Sequence, residues 1–246
     1  MGSQRRRGRI TLPVRHHHAG PDTVNTDKRL IQSHLVELGL AGKDVAVHAS
    51  LRSFDHVHGG AETVVRALLG VCNTVLMPTF CGIGRTNAPD GDRPKQNAWD
   101  YSSGGIGADR VTPFDPNLPL KRLADRDGYI LLFGVGLSAC TAVHLGEELA
   151  GRRPFVRWVL YADGKVRRVR EYGCSEGFDK FTPYVEPLAT RCAIGGCAVV
   201  CYHAKPFIEA IAQVIASQPE ITLCGRPECR CMASLKGGPI EQVVVE

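Results

Sequence analysis

The sequence predicts an α/β sandwich, and three observations carry that expectation. Short apolar runs at Asp44–His48 (DVAVH), Thr74–Met77 (TVLM) and Tyr129–Phe133 (YILLF) have the length of buried strands. Amphipathic helical patterns alternate with them, as expected when helices cover a sheet. Asp163-Gly164 separates two further strand-like runs, Phe155–Ala162 and Lys165–Tyr172, a strong signal for a tight hairpin that adds antiparallel strands.

The elements follow in order. Thr26 is placed to cap a first helix whose apolar face is Leu30, Ile31, His34, Leu35 and Leu38, with Gly39 as its stop. The strand Asp44–His48 runs into a loop, Ala49–Gly60, and then into a second helix. Its apolar face is Ala61, Val64, Val65, Leu68 and Leu69. Pro78 closes the strand Thr74–Met77. Residues 81–119 hold five of the 15 prolines and six of the 27 glycines, which predicts a long loop acting as a lid. After Tyr129–Phe133 come Gly134, Gly136 and a helix starting near Thr141. Gly195–His203 reads as a strand, and Pro206 opens a helix with Phe207, Ile208, Ile211, Val214 and Ile215 on one face.

A chain of 246 residues with 43% hydrophobic and 22% charged residues is suited to one sizeable core. The formal charge of +5 is concentrated in Arg5, Arg6, Arg7, Arg9 and Arg15 ahead of His16, His17 and His18. No aromatic residues interleave with these arginines, so residues 1–22 read as a disordered basic tail or a cloning remnant, not as a nucleic-acid arm. No apolar run follows the basic start, and none reaches the ~18–20 residues of a membrane span. The expectation is a soluble cytoplasmic protein without nucleic-acid or membrane partners. The ten cysteines are expected as thiols packed like small hydrophobes.

The chemistry concentrates in Gly134–Ala150, GVGLSACTAVHLGEELA. With Thr141 as cap, His144 falls in the first helical turn, and Glu147 and Glu148 follow three and four positions later on the same face. A carboxylate beside a histidine fixes its tautomer and raises its basicity, as a general base for an amine requires. The position just past a buried strand is where sites gather in α/β sheets. Without that context the same spacing describes a surface His–Glu pair.

The second stretch is His48–Ala61, HASLRSFDHVHGGA. Gly59 and Gly60 before a helix leave backbone N–H groups open to a phosphate, although glycine pairs also serve simply as turns. His56 and His58 read as loop residues. In the tail, Cys224-x4-Cys229-x-Cys231 offers three zinc-type ligands, the fourth to come from Cys174, Cys192, Cys201 or His203. Structural zinc sites usually show tighter pairs, so no metal ligand set is expected.

Five separated segments recur in a common order. They are Val47–Leu51 (VHASL), Val57–Glu62 (VHGGAE), Leu76–Phe80 (LMPTF), Leu131–Gly136 (LLFGVG) and Thr141–Glu147 (TAVHLGE). In order and spacing they resemble the aminoglycoside 3-N-acetyltransferase family of antibiotic N-acetyltransferases, over roughly residues 25–235. The resemblance implies a three-layer α/β/α sandwich with a mixed central sheet, residues 23–246 forming a single acetyltransferase domain. It implies acetyl-coenzyme A as cosubstrate, held by Ser50, Leu51, Val57, His58, Gly59, Gly60, Ala61 and Thr79. It also implies that His144, paired with Glu147, deprotonates the amine of a small molecule such as an aminoglycoside. The family's longer middle stretch, with its Arg-Ser-x-His-Pro-like motif, has no counterpart here. A polycationic acceptor needs carboxylates, and Asp100, Glu176 and Asp179 are the expected contacts. The alternative reading is a coenzyme A-binding or zinc-binding module of the same fold with impaired catalysis.

Overall fold

Three parallel strands organise the chain: β1 (Asp44–Ala49), flanked by β2 (Thr74–Leu76) and β5 (Tyr129–Phe133). In the computed structural model the described residues are 26–78, 82–83, 102–103, 119–152, 155–160, 166–171, 174–227, 229–235 and 240–241. Between β2 and β5 lie a two-residue antiparallel pair, β3 (Gly82–Ile83) with β4 (Ser102–Ser103), and the helix α3 (Pro119–Asp125). The remaining helices are α1 (Lys28–Glu37), α2 (Gly60–Leu69), α4 (Ala142–Leu149), the short α5 (Thr182–Val185) and α6 (Ala204–Ser217). The hairpin strands β6 (Phe155–Leu160) and β7 (Val166–Glu171) precede a second hairpin, β8 (Ala189–Ile194) and β9 (Cys197–His203). A last strand, β10 (Ile240–Glu241), ends the order.

The central sheet runs β2-β1-β5-β9-β8, with β9 antiparallel to β5 and β8 antiparallel to β9. It is mixed, as expected, but its antiparallel strands are not those the sequence suggested. The β6–β7 hairpin pairs with β10 in a separate three-stranded sheet. The strand β8 is absent from the sequence reading because Thr190 and Arg191 interrupt it and only Ile194 is buried, so ATRCAI offers no alternation to mark a strand. The Asp163-Gly164 turn itself lies outside the described residues, as do the basic tail and most of the 81–119 loop.

Alternation along the strands sorts the core into two faces. Val45 and Val47 of β1, Leu131 and Phe133 of β5, and Val199 and Cys201 of β9 pack with Ile31 and Leu35 of α1 and Val64, Ala67 and Leu68 of α2. Ala46, Ile130, Leu132 and Tyr202 face the other way, onto Val143 and Leu145 of α4 and Phe207, Ile208 and Ile211 of α6. Helices therefore cover both faces of the sheet, which makes the α/β/α sandwich. Burying each of the valine, leucine, isoleucine and phenylalanine side chains among these contributes roughly 1.5–3 kcal/mol.

Local details differ from expectation for physical reasons. Asp27 caps α1, its Oδ1 accepting the Leu30 N–H at 2.8 Å, while Thr26 bridges to Val57. Gly39, at φ +76°, ends α1 as expected, its left-handed backbone being one that β-carbons resist. On α2 the buried face is Val64, Ala67 and Leu68, with Ala61 and Leu69 turned to solvent. Packing against α1 rotates the helix relative to the face read from its apolar residues.

Candidate active site

Two adjacent parallel strands send their helices to opposite faces of the sheet. From β1 the chain passes through Ser50 and a 3₁₀ turn (Leu51–Phe54) into α2 on one side. From β5 it passes through Gly134–Cys140 into α4 on the other. Such a switch point opens a crevice beyond the carboxyl ends of the strands, where α/β folds bind ligands. The two loops are tied together: the Ser50 N–H donates to the Phe133 carbonyl at 2.9 Å. Gly134, at φ +62°, lies so close to Ser53 that a β-carbon there would collide with it.

His144 stands in the first turn of α4, 9% exposed. Its Nδ1 lies 2.6 Å from Oε2 of Glu147, which is 5% exposed. The i,i+3 spacing places the two groups on one face of the helix, as read from the sequence. Glu147, not Glu148, makes this contact. The imidazole packs edge-on against Phe178, with ring centroids 4.8 Å apart. Behind Glu147, the Nε of Arg152 stands 3.9 Å from Oε1. The Arg152 guanidinium also donates to the Pro219 carbonyl at 3.3 Å and to the Thr222 hydroxyl. A buried imidazole, the carboxylate beside it and a guanidinium behind that carboxylate thus form a chain of contacts from α4 to Thr222.

His48 belongs to the same site. It ends the alternation of Ala46 on the α4 face, and its Nε2 lies 3.4 Å from the Thr141 hydroxyl. Thr141 is the N-cap residue of α4 as read, but its hydroxyl makes no capping bond and meets His48 instead. His48 is 3% exposed, and burial pushes its pKa down to about 4, so at neutral pH the ring is uncharged. The strand parity that sends Ala46 to α4 was the sequence signal for His48. Phe178 had no such signal, because His144 lies 34 positions away, and neither had the anchoring of Arg152 on Thr222, 70 positions away.

The predicted phosphate seat begins α2. Gly59 and Gly60 take left-handed backbone at φ +80° and +62°, and a β-carbon on Gly60 would meet nothing within 4 Å. The turn is held from below, since the His58 N–H donates to the Thr26 carbonyl and the Gly60 N–H to the Val57 carbonyl, both at 3.0 Å. Ser50, Leu51, His58 and Ala61 line this loop and helix start with some or most of their surface exposed, while Val57 is buried. Thr79 lies outside the described residues.

The predicted acceptor carboxylates are scattered. Asp179 is exposed, adjoins Phe178, and accepts the Ser138 N–H at 3.2 Å on the loop leading to α4. Glu176 pairs with Arg226 at 2.6 Å near the C-terminal cysteines. Asp100 lies outside the described residues. A separate cleft of about 600 Å³, lined by Lys180, Tyr184, Gln218 and Ile221, contains none of the predicted site residues.

Of the described thiols, those in the core are raised by burial, Cys201 to about 12. Cys224 is lowered to about 6, first by the Arg226 backbone N–H. Among the described residues no helix is long and apolar enough to cross a membrane.

Comparison with known proteins agrees with this architecture. The chain is 27% identical over 169 residues to aminoglycoside N(3)-acetyltransferase IV of Salmonella sp, a match covering 55% of this chain and 64% of that enzyme. It spans less than two thirds of that relative's length. The solved apoenzyme of aminoglycoside acetyltransferase AAC(3)-IVa superposes with a TM-score of 0.67 at 22% identity, covering 88% of this chain and 99% of the other. A histidine-to-alanine mutant of AAC(3)-IVa is solved in complex with a gentamicin, at TM-score 0.67, 21% identity, and 87% and 98% coverage. AAC-IIIb is solved as a binary complex with CoASH (TM-score 0.60, 17% identity, covering 79% of this chain and 98% of that one). The family model described as aminoglycoside 3-N-acetyltransferase matches residues 46–104 and 106–216, and on that match the chain belongs to the aminoglycoside 3-N-acetyltransferase family.

Proposed function

We propose that this protein transfers the acetyl group of acetyl-coenzyme A to an amine of an aminoglycoside-type antibiotic, with His144 as general base. The observation that carries the reading is the buried His144–Glu147 pair, 2.6 Å apart at the switch point between β1 and β5. Glu147 accepts a hydrogen bond from Nδ1, which leaves Nε2 as the nitrogen able to take a proton from an acceptor ammonium. The freed amine attacks the thioester carbonyl, the tetrahedral intermediate collapses, the C–S bond breaks, and coenzyme A departs as the thiol. The proton held on His144 passes to the departing sulfur, and the second nitrogen proton is lost to solvent as the amide forms, so each turnover releases one proton.

The loop from Ser50 to Ala61, with Thr79, is the proposed seat of the coenzyme A chain. The empty space beside Gly60, at the positive end of α2, suits its phosphates. The N–H groups of Val143 and His144 already donate to Cys140 and Thr141 carbonyls, so an oxyanion would draw on other donors. For the acceptor, Asp179 is the better placed of the two described carboxylates. It sits one residue from the ring that packs on His144, whereas the charge of Glu176 is offset by Arg226. A cytoplasmic location fits a reaction that consumes acetyl-coenzyme A. The solved complexes of AAC(3)-IVa with a gentamicin and of AAC-IIIb with CoASH support the two substrate classes.

The test is thiol release from acetyl-coenzyme A with gentamicin, apramycin, sisomicin and simple amines as acceptors. Turnover with an aminoglycoside is expected for the wild type and its loss for His144→Ala, with coenzyme A binding retained. Turnover by the variant within a few-fold of wild type would remove His144 from the mechanism. Tight coenzyme A binding with no acetylation of any acceptor would instead favour the catalytically impaired module.

A further inference from the structure

Four cysteines that are scattered in sequence meet at one point. The Sγ atoms of Cys174, Cys224, Cys229 and Cys231 all lie within 4.8 Å of one another. Cys229 and Cys174 are 3.5 Å apart, and Cys224 and Cys231 3.7 Å. A tetrahedral zinc ion with Zn–S bonds of ~2.3 Å holds its sulfurs about 3.8 Å apart, close to these separations. A disulfide would need about 2.05 Å.

We propose that Cys174, Cys224, Cys229 and Cys231 form a structural zinc site, a closed set of four thiolates that staples the C-terminal segment to the loop carrying Phe178. This departs from the expectation of no metal ligands. The C-x4-C-x-C spacing supplies three sulfurs, and the fourth sits 50 positions upstream of the first of them, where spacing carries no information. The other candidates for the fourth ligand are engaged elsewhere. Cys201 and Cys192 belong to the α1–α2 face of the core, and His203 Nε2 lies 2.6 Å from Asp127.

The surroundings suit a closed thiolate centre. Four thiolates around Zn²⁺ leave a net charge of −2, and two cations stand close by in the chain. Arg226, which also pairs with Glu176, lies two residues from Cys224, and Lys180 donates through Nζ to the Leu223 carbonyl at 2.6 Å. All four sulfur positions are filled by protein, which leaves no open coordination position for catalysis. The role is mechanical. A β-carbon on Gly177 would stand 2.6 Å from the Thr222 carbonyl oxygen, so the loop before Phe178 lies directly on the tail that the cysteines fix. Thr222 in turn receives Arg152, the cation behind Glu147. The zinc thereby braces both the aromatic wall and the acid of the His144 pair without touching either.

The test is elemental analysis of the purified full chain after passage over a chelating resin, which strips ions held loosely by His16–His18. One zinc per chain is expected, lost in Cys174→Ser and Cys229→Ser and kept in Cys192→Ser. Cobalt(II) replacing the zinc should give the intense visible bands of a tetrahedral thiolate site, a readout on the wild type that does not depend on the variants folding. Zinc well below one equivalent with no such cobalt bands overturns the proposal. So does zinc retained by both cysteine variants, iron found in its place, or disulfides pairing the four cysteines under non-reducing mass spectrometry.

Discussion

Nδ1 of His144 and Oε2 of Glu147 stand 2.6 Å apart on one turn of α4, both almost closed to solvent. The carboxylate selects the tautomer of a ring that would otherwise be free to present either nitrogen. Glu147→Gln keeps the size and removes the charge. It is expected to lower kcat by roughly 10²-fold or more while KM for the acceptor changes little. Steady-state thiol release measures the split; a rise in KM at constant kcat would assign Glu147 to substrate binding.

Arg152 closes the other side of Glu147 and is 7% exposed. Arg152→Met removes the cation and its bonds to Pro219 and Thr222, leaving the buried carboxylate with less compensation. Breaking a buried pair in this way costs about 3–5 kcal/mol. A fall in Tm on the order of 10 °C is expected by calorimetry for a chain of this length. A shift of under two degrees would mean that the guanidinium does not compensate Glu147.

His48 makes stability depend on pH in a defined window. Its folded pKa of about 4 lies below the ordinary 6.5, so the unfolded chain binds the proton more readily. Stability is therefore greatest above about pH 6.5, falls as pH drops towards 4, and loses nothing more from this group below that. The shift corresponds to about 3 kcal/mol across the window. Urea unfolding between these limits should show the slope in the wild type and a shallower one in His48→Gln.

Gly146 on α4 faces Ile211 on α6. A β-carbon there would stand 2.8 Å from the Ile211 Cβ and 3.3 Å from the Ile208 carbonyl oxygen. Helix propensity alone favours alanine by about 1 kcal/mol. The backbone and branched neighbours cannot yield, so Gly146→Ala is expected to destabilise by about 1–3 kcal/mol. Denaturant melts give the sign directly: stabilisation would mean that α4 and α6 are less tightly apposed.

The α1 and α6 faces, the three parallel strands and the β6–β7 hairpin were legible because each depends on residues a few positions apart. The same holds for His144 and Glu147, whose contact spans one helical turn. The α2 face was read one row off, since partner packing sets its rotation. β8 escaped notice because a largely exposed strand of small and mixed residues has no periodic contrast. The helix α3 escaped because it begins at Pro119, inside a stretch whose prolines and glycines suggested a loop.

The chain by itself settled the alternation of strands and helices, the capping glycine, and the pairing of an imidazole with an acid three residues on. These follow from bond geometry and local periodicity, which neighbouring residues carry with them. Only the folded sheet decided that His48 meets Thr141 across 93 positions, that Arg152 reaches Thr222, and that Cys174 joins the tail cysteines. Those meetings depend on strand order and on which face each helix covers, and no local spacing encodes either.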